Sequence, residues 1–263
     1  MNQQAIDRSN AEFWNTLCGW GKAREAGITG ESEDDLGRFD EVYFAFYPYL
    51  CRYVPRDLSG KKLLEVGLGY GTLGQLLAER GADYFGVDIA AAPVAVMRQR
   101  LRRLGLPEER VRQGSVLELP FEDETFDYVY SIGCLHHTGD LQRSVREVHR
   151  VLVPGGRAVV MLYYRHSLRR LLFGLRAAVR RDGPSLDDEM REVYDADEAG
   201  VPAPHTDFVS KREVRELFGD FARVRIDVQN FDGYRWGLRR ELFLGNLARM
   251  VGLDLYVVAD KRP

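Results

Sequence analysis

The chain has 263 residues, of which 45% are hydrophobic and 29% charged, and its formal net charge is −3. That is enough chain for one full domain with elaborations, and the slight acidity argues against a dedicated nucleic-acid binder. No apolar run approaches the roughly eighteen residues of a membrane span, and the first residues, MNQQAIDRSNAEFW, lack the apolar core of a signal peptide. Three cysteines (Cys18, Cys51, Cys134) make an odd number that fits free thiols in a reducing, cytoplasmic compartment.

Residues 1–59 precede the first core strand and read as an N-terminal helical lid. They begin polar, and Gly27–Asp40, rich in Gly, Ser and acids, reads as a loop. An aromatic run follows: Phe39, Tyr43, Phe44, Phe46, Tyr47, Tyr49 and Tyr53. Its face either packs on a sheet or lines a pocket, where tyrosine offers apolar area with a hydroxyl handle. Next comes KKLLEVGLGYGTLG, Lys61–Gly74. Leu63–Val66 is a buried strand, three alternating glycines (Gly67, Gly69, Gly71) form a tight turn, and leucines at helical spacing run to Gly81. Such a turn points free helix N–H groups at a ligand. Gly69, Gly71 and Gly74 also fit G-x-G-x-x-G, the dinucleotide spacing. A second strand ends in Asp88, about twenty residues on, where an acid can hold ribose hydroxyls.

The alternation continues. A helix is predicted over Pro93–Leu104, its arginines forming a solvated face. Then come strands at Arg110–Gln113 and Thr125–Ile132, a helix over Leu141–Leu152 capped by Asp140, and a strand over Arg157–Tyr164. Arg165–Phe208 is an insertion. Its first half is basic and amphipathic, which suits packing over a pocket mouth against the acidic stretch Asp182–Glu198, or contact with a membrane surface. Ser210–Phe218 reads as a helix with Ser210 and Glu213 as a capping box, and Ala222–Gln229 and Leu253–Lys261 read as strands. A second insertion, Asn230–Gly252, holds a predicted helix over Arg239–Met250 and is a place for a dimer contact or added core.

Four segments occur in order: LLEVGLGYG, GVDIA, ELPFEDETFDYVYSIGCLHH and RVLVPGGRAVVM. Over about residues 60–164 the chain thereby resembles the class I S-adenosylmethionine (SAM) methyltransferases, in the style of the small-molecule and quinone-biosynthesis group. The resemblance implies an α/β Rossmann-like sheet of seven strands, mostly parallel with the last antiparallel. It implies a core over 60–263, with insertions 165–208 and 230–252 capping the substrate site. It also implies SAM as cofactor and S-adenosylhomocysteine as product, while no His/Cys cluster has metal-ligand spacing, so no metal is expected. A nicotinamide reductase would not explain the later segments. A SAM-binding protein without catalysis is the alternative of a different class.

By the same resemblance Gly67, Gly69 and Gly71 wrap the methionine and ribose, Glu65 supports the loop, Asp88 takes the ribose hydroxyls and Ile89 flanks the adenine. Ser115 stands where the family often has an acid that reads the adenine amino group, with the Val116 N–H beside it. Ligands of open α/β sheets lie beyond the carboxyl ends of the strands. His136 and His137 leave the fourth strand there and are candidate bases, or structural hydrogen-bonders. Resemblance to the phosphobase methyltransferases makes Tyr43 or Tyr47 a partner. Tyr163, Arg165, His205 and Tyr234 are candidate acceptor contacts. The acceptor is expected to be a small or medium, partly aromatic or apolar molecule, methylated on O, N or C.

Overall fold

The computed structural model describes residues 2–16, 20–28, 30–179, 183–197, 199–231, 240–245 and 247–263. Three helices come first: α1 (Gln3–Phe13), α2 (Trp20–Glu25) and α3 (Glu33–Phe46). The alternating series follows as β1 (Lys62–Val66), α4 (Thr72–Glu79), β2 (Asp83–Asp88), α5 (Ala91–Arg103), β3 (Val111–Gln113), β4 (Phe126–Ile132), α6 (Leu141–Val151) and β5 (Leu152–Tyr164). Then come α7 (Leu168–Val179), α8 (Leu186–Tyr194), β6 (Phe208–Val209), α9 (Lys211–Leu217), β7 (Arg223–Gln229), α10 (Arg240–Phe243), α11 (Ala248–Val251) and β8 (Asp254–Asp260).

All eight strands form one sheet in the order β3-β2-β1-β4-β5-β8-β7, with β6 beside β5. β1 to β6 pair in parallel, and β8 runs antiparallel between β5 and β7. This is the expected mostly parallel, Rossmann-like sheet with an antiparallel end, plus one short strand. The addition, β6, sets Phe208 opposite Tyr163 and buries it.

Alternation along the strands divides the core in two. Leu64 and Val66 of β1 face Leu141, Val145 and Val148 of α6 and Val214 of α9. Leu63 faces the other way, toward Leu73 and Leu77 of α4, Met97 and Leu101 of α5, and the Tyr49–Val54 turn. Burial on both faces is why these strands read as continuous apolar runs.

Two readings of the sequence change. Glu33–Asp40 is helix rather than loop. Ser32 caps α3, its hydroxyl accepting from the Asp35 N–H at 3.2 Å, and Glu33, Asp34 and Asp35 fill the first turn, where acids favour the helix dipole. The helix expected over Arg239–Met250 is instead two four-residue pieces, α10 and α11, and residues 232–239, which include Tyr234 and Trp236, lie outside the described residues. Cys18 lies outside them as well, while Cys51 is a free, exposed thiol. The capping box at Ser210 and the Asp140 cap of α6 form as read. Arginines of the first insertion do meet its acids, Arg170 pairing with Asp187 at 2.6 Å. Among the described residues no helix is long and apolar enough to cross a membrane.

Candidate active site

The chain leaves β1 at Val66 and turns through Gly67, Gly69 and Gly71, all at positive φ, before α4 begins. The Gly67 N–H donates to the Val87 carbonyl at 2.9 Å, tying the turn to β2. A Cβ on Gly67 would collide with Cys134, which follows β4, so a larger residue would drive the turn away from the fourth strand. Gly74 is needed for a different reason. Inside α4, its Cβ would come 2.6 Å from the Tyr84 hydroxyl and foul the Glu65 carboxyl. The third glycine of the dinucleotide spacing therefore lets α4 close over a buried Glu65–Tyr84 pair.

Two acids stand at this turn. Asp88, at the end of β2, accepts the Leu68 N–H at 2.7 Å through Oδ2 and the Ala90 N–H at 2.9 Å through Oδ1. Burial pushes its carboxyl up to about 6, and those backbone N–H groups oppose the rise. Glu65 accepts from the Tyr84 hydroxyl at 2.6 Å, and burial pushes it up to about 8.

A cleft with an empty volume of about 1000 Å³, part of it open to solvent, runs along the turn. Glu65, Gly67, Gly69, Asp88 and Ile89 line it, with Ser115 and Val116 beyond β3. From the exit of β4 it receives Ile132, Gly133, Cys134, His137 and Thr138. Phe39 and Tyr43 of α3 form part of the wall. Ser115 turns its hydroxyl to the Leu117 N–H at 3.2 Å.

Other expected residues stand back from the cleft. Gly71 caps α4 and packs on Met97 and Arg100. Tyr47 sits behind Tyr43, ring centroids 4.9 Å apart. Arg165 pairs with Glu213 at 2.8 Å and donates to the Phe208 carbonyl at 2.9 Å, which anchors the insertion. The Tyr163 ring lies tilted against the His136 ring, centroids 4.1 Å apart. Tyr234 lies outside the described residues.

The two histidines occupy a 3-10 turn, Leu135–His137, and differ in surroundings. His136 is wholly buried behind His137, and neither of its ring nitrogens makes a hydrogen bond of normal geometry. Burial, reinforced by His137, holds it well below the ordinary imidazole value, so it stays neutral. His137 lines the cleft. Its Nδ1 lies 2.7 Å from the His205 carbonyl, which only accepts, so Nδ1 carries the proton and Nε2 the lone pair. Nε2 makes no hydrogen bond among the described residues and lies 3.6 Å from Asp195 Oδ2, which accepts from the Tyr163 hydroxyl at 2.8 Å. Burial pushes His137 down and Asp195 up. His205 thus serves through its backbone, and its ring nitrogen lies 3.2 Å from Asp207.

Several residues at the site were not foreseen. Asp7, Asn10 and Trp14 of the first helical segment line the cleft. Asn10 donates to the His137 carbonyl and Gln3 to the Thr138 carbonyl, both at 2.7 Å, and the Trp14 ring lies 4.8 Å from the His137 ring. The signal was present: Gln3, Asp7, Asn10 and Trp14 recur at helical spacing and share one face. Asp195 carried no such signal, standing in an acidic stretch far along the chain.

The groups present suit a nucleoside-bearing, cationic cofactor, with Asp88 at the end of β2, Glu65 beside the turn and an otherwise apolar wall. Among the described residues no three His, Cys, Asp or Glu side chains are grouped to hold a metal ion. A methyltransferase domain family matches residues 64–160. The chain is 29% identical to a demethylmenaquinone methyltransferase of Tropheryma whipplei (strain Twist) over 180 residues, 64% of this chain and 74% of the relative. It is 39% identical to a ubiquinone biosynthesis O-methyltransferase of Pseudomonas syringae pv. tomato over 101 residues, 38% of this chain and 43% of that one. A solved geranyl diphosphate C-methyltransferase from Streptomyces coelicolor A3(2) shares the fold, with a TM-score of 0.61 and 17% identity, over 97% of this chain and 98% of that one. The motifs in order, the glycine turn between β1 and α4 and the antiparallel β8 agree with these likenesses: residues 64–160 carry a methyltransferase domain, and the chain is similar in sequence and fold to S-adenosylmethionine-dependent methyltransferases.

Proposed function

We propose that the protein methylates a small organic acceptor carrying an oxygen-bearing ring, with His137 taking the acceptor's proton. The observation that carries this reading is a single cleft that joins the glycine turn to His137, whose Nε2 has no hydrogen-bond partner among the described residues. Bound SAM supplies the methyl group and a neutral leaving sulfide. The chain's tasks are to hold cofactor and acceptor in line, exclude water and accept a proton. Asp88 takes ribose hydroxyls, Glu65 meets the ligand's amino group, and Ser115 with the Val116 N–H reads the adenine. Helices α1 and α3 close the cleft over them. The His205 carbonyl holds the His137 ring with its lone pair on Nε2, and His136 packs behind as its support. The relatives named for quinone substrates favour an oxygen-bearing ring as acceptor.

The variant His137→Asn keeps a donor for the His205 carbonyl but removes the basic nitrogen. It is expected to lower turnover by about 10²-fold or more, with SAM affinity within about threefold of wild type. Equal losses of turnover, SAM affinity and thermal stability would make His137 a structural residue.

A second reading, loading of the acceptor from an anionic membrane surface, is favoured by Leu171 and Leu175, more than half exposed on α7 near Arg176. Co-sedimentation with phosphatidylglycerol vesicles that Leu171→Ser/Leu175→Ser abolishes would support it. Absence of vesicle binding by the wild-type protein would remove it.

A further inference from the structure

Four buried polar atoms on the lid side of the sheet have no hydrogen-bond partner among the described residues: the Tyr49 and Tyr256 hydroxyls, Asp254 Oδ2 and Arg240 Nε. Each of these residues is at least nine-tenths buried. Folded chains keep few such atoms, because a buried donor or acceptor without a partner is costly. The four come from three places in the chain, the Tyr49 turn, α10 and β8, and converge. Asp254 and Tyr256 alternate onto one face of β8, opposite Tyr163 and Met161 of β5. The Tyr49 ring meets the Tyr256 ring edge-on at 5.5 Å. Asp254 and Arg240 both lie in electrostatic range of Tyr49. Arg240 is held by Nη2, which donates to Asn230 at 3.0 Å, and by the Phe46 ring 3.9 Å from its guanidinium, leaving Nε–H over. Tyr43 connects the cluster to the cleft. It lines the cleft and also lies in electrostatic range of Tyr49 and Tyr256.

We propose that Tyr49, Tyr256, Asp254 and Arg240 form the acceptor subsite, receiving the oxygen substituents of a planar ring that extends past Tyr43. This rests on the methyltransferase reading above and adds where the acceptor is held. Phenol hydroxyls donate or accept, the guanidinium Nε–H donates, and the carboxyl oxygen takes a hydroxyl proton. That set matches carbonyl and hydroxyl oxygens, and the guanidinium disfavours a cationic amine. Tyr43, on the cleft wall, and Tyr163, paired across the sheet with Asp254, supply aromatic surface suited to a flat ring.

The test is calorimetric titration of the S-adenosylhomocysteine-loaded protein with 2-hydroxy-1,4-naphthoquinone, in wild type, Tyr49→Phe/Tyr256→Phe and Asp254→Asn. The cofactor product is titrated separately into each. The tyrosine changes remove only hydroxyls that lack partners, so thermal stability is expected to hold or rise. If the tyrosine pair proves unstable, Asp254→Asn decides. The expected result is naphthoquinone binding that falls about tenfold in each variant, with unchanged affinity for the cofactor product. Equal binding by wild type and variants would mean that the four atoms hold only ordered water, and would overturn the subsite. So would absence of naphthoquinone binding by a wild-type protein that binds the cofactor product. Failure of the wild type to bind S-adenosylhomocysteine would instead overturn the underlying reading.

Discussion

Glu65 holds a proton at neutral pH that the unfolded chain would have given up. Burial pushes its pKa from 4.5 to about 8, and burial also moves Asp254 to about 7 and Asp88 to about 6. A carboxyl whose folded pKa is raised binds more protons in the native state between the two values. Its contribution is therefore complete below the unfolded pKa and is lost as pH rises through the folded one. The free protein should lose thermal stability from about pH 5 to about pH 8, and Glu65→Gln should flatten that slope. An unchanged slope in the variant would mean that Glu65 titrates normally. A cationic amino group placed at Glu65 favours its ionised form, so SAM binding near neutrality should release protons. The observed calorimetric enthalpy should then vary with the ionisation enthalpy of the buffer. Glu65 was legible in the sequence as a companion of the glycine turn. Its hydrogen bond to Tyr84 was not, because nothing local to either residue marks the pair.

At the scale of elements, a buried clasp joins the lid to the glycine turn. Arg100 of α5, 2% exposed, donates to both oxygens of Asp40 on α3 at 2.8 Å and to the Tyr70 carbonyl at 2.7 Å. Asp40 also accepts from Thr72 at 2.6 Å, at the first residue of α4, and Phe39 stacks on Tyr70 with centroids 3.9 Å apart. Three elements are thus fixed through one guanidinium, whose planar fork a lysine would not reproduce. Removing one member of a buried pair strands the other, so Arg100→Met should cost about 3 kcal/mol in denaturant unfolding. It should also weaken S-adenosylhomocysteine binding, because Tyr70 and Thr72 line the cleft. Full stability with native affinity would show that the clasp does not position the turn. The sequence disclosed α4, α5 and their caps through spacing and glycines. It misleads over Glu33–Asp40, whose acids suit a loop by composition although Ser32 and three acids make a helix start. Arg100 read as one of several arginines on a solvated face. Only the approach of α3 buries it.

The molecule as a whole shows the same division. The alternation of strand and helix follows from local periodicity, and the mostly parallel sheet with an antiparallel β8 is what the resemblance carried by the four segments implies. The surroundings of His137 were not readable. They are assembled from Asn10, Asp195 and His205, each tens of residues away in sequence, and only the folded sheet brings them to one turn. The proposed acceptor subsite depends on β8, α10 and the Tyr49 turn in the same way. Local periodicity thus specifies the framework, while long-range packing specifies the groups that act within it. The most direct test is calorimetric titration of S-adenosylhomocysteine into the wild-type protein and into Asp88→Ala. The account predicts micromolar binding to the wild type, weakened about a hundredfold in the variant through loss of charge-assisted hydrogen bonds to the ribose. Equal affinity in the two proteins, or no binding to the wild type, would contradict it.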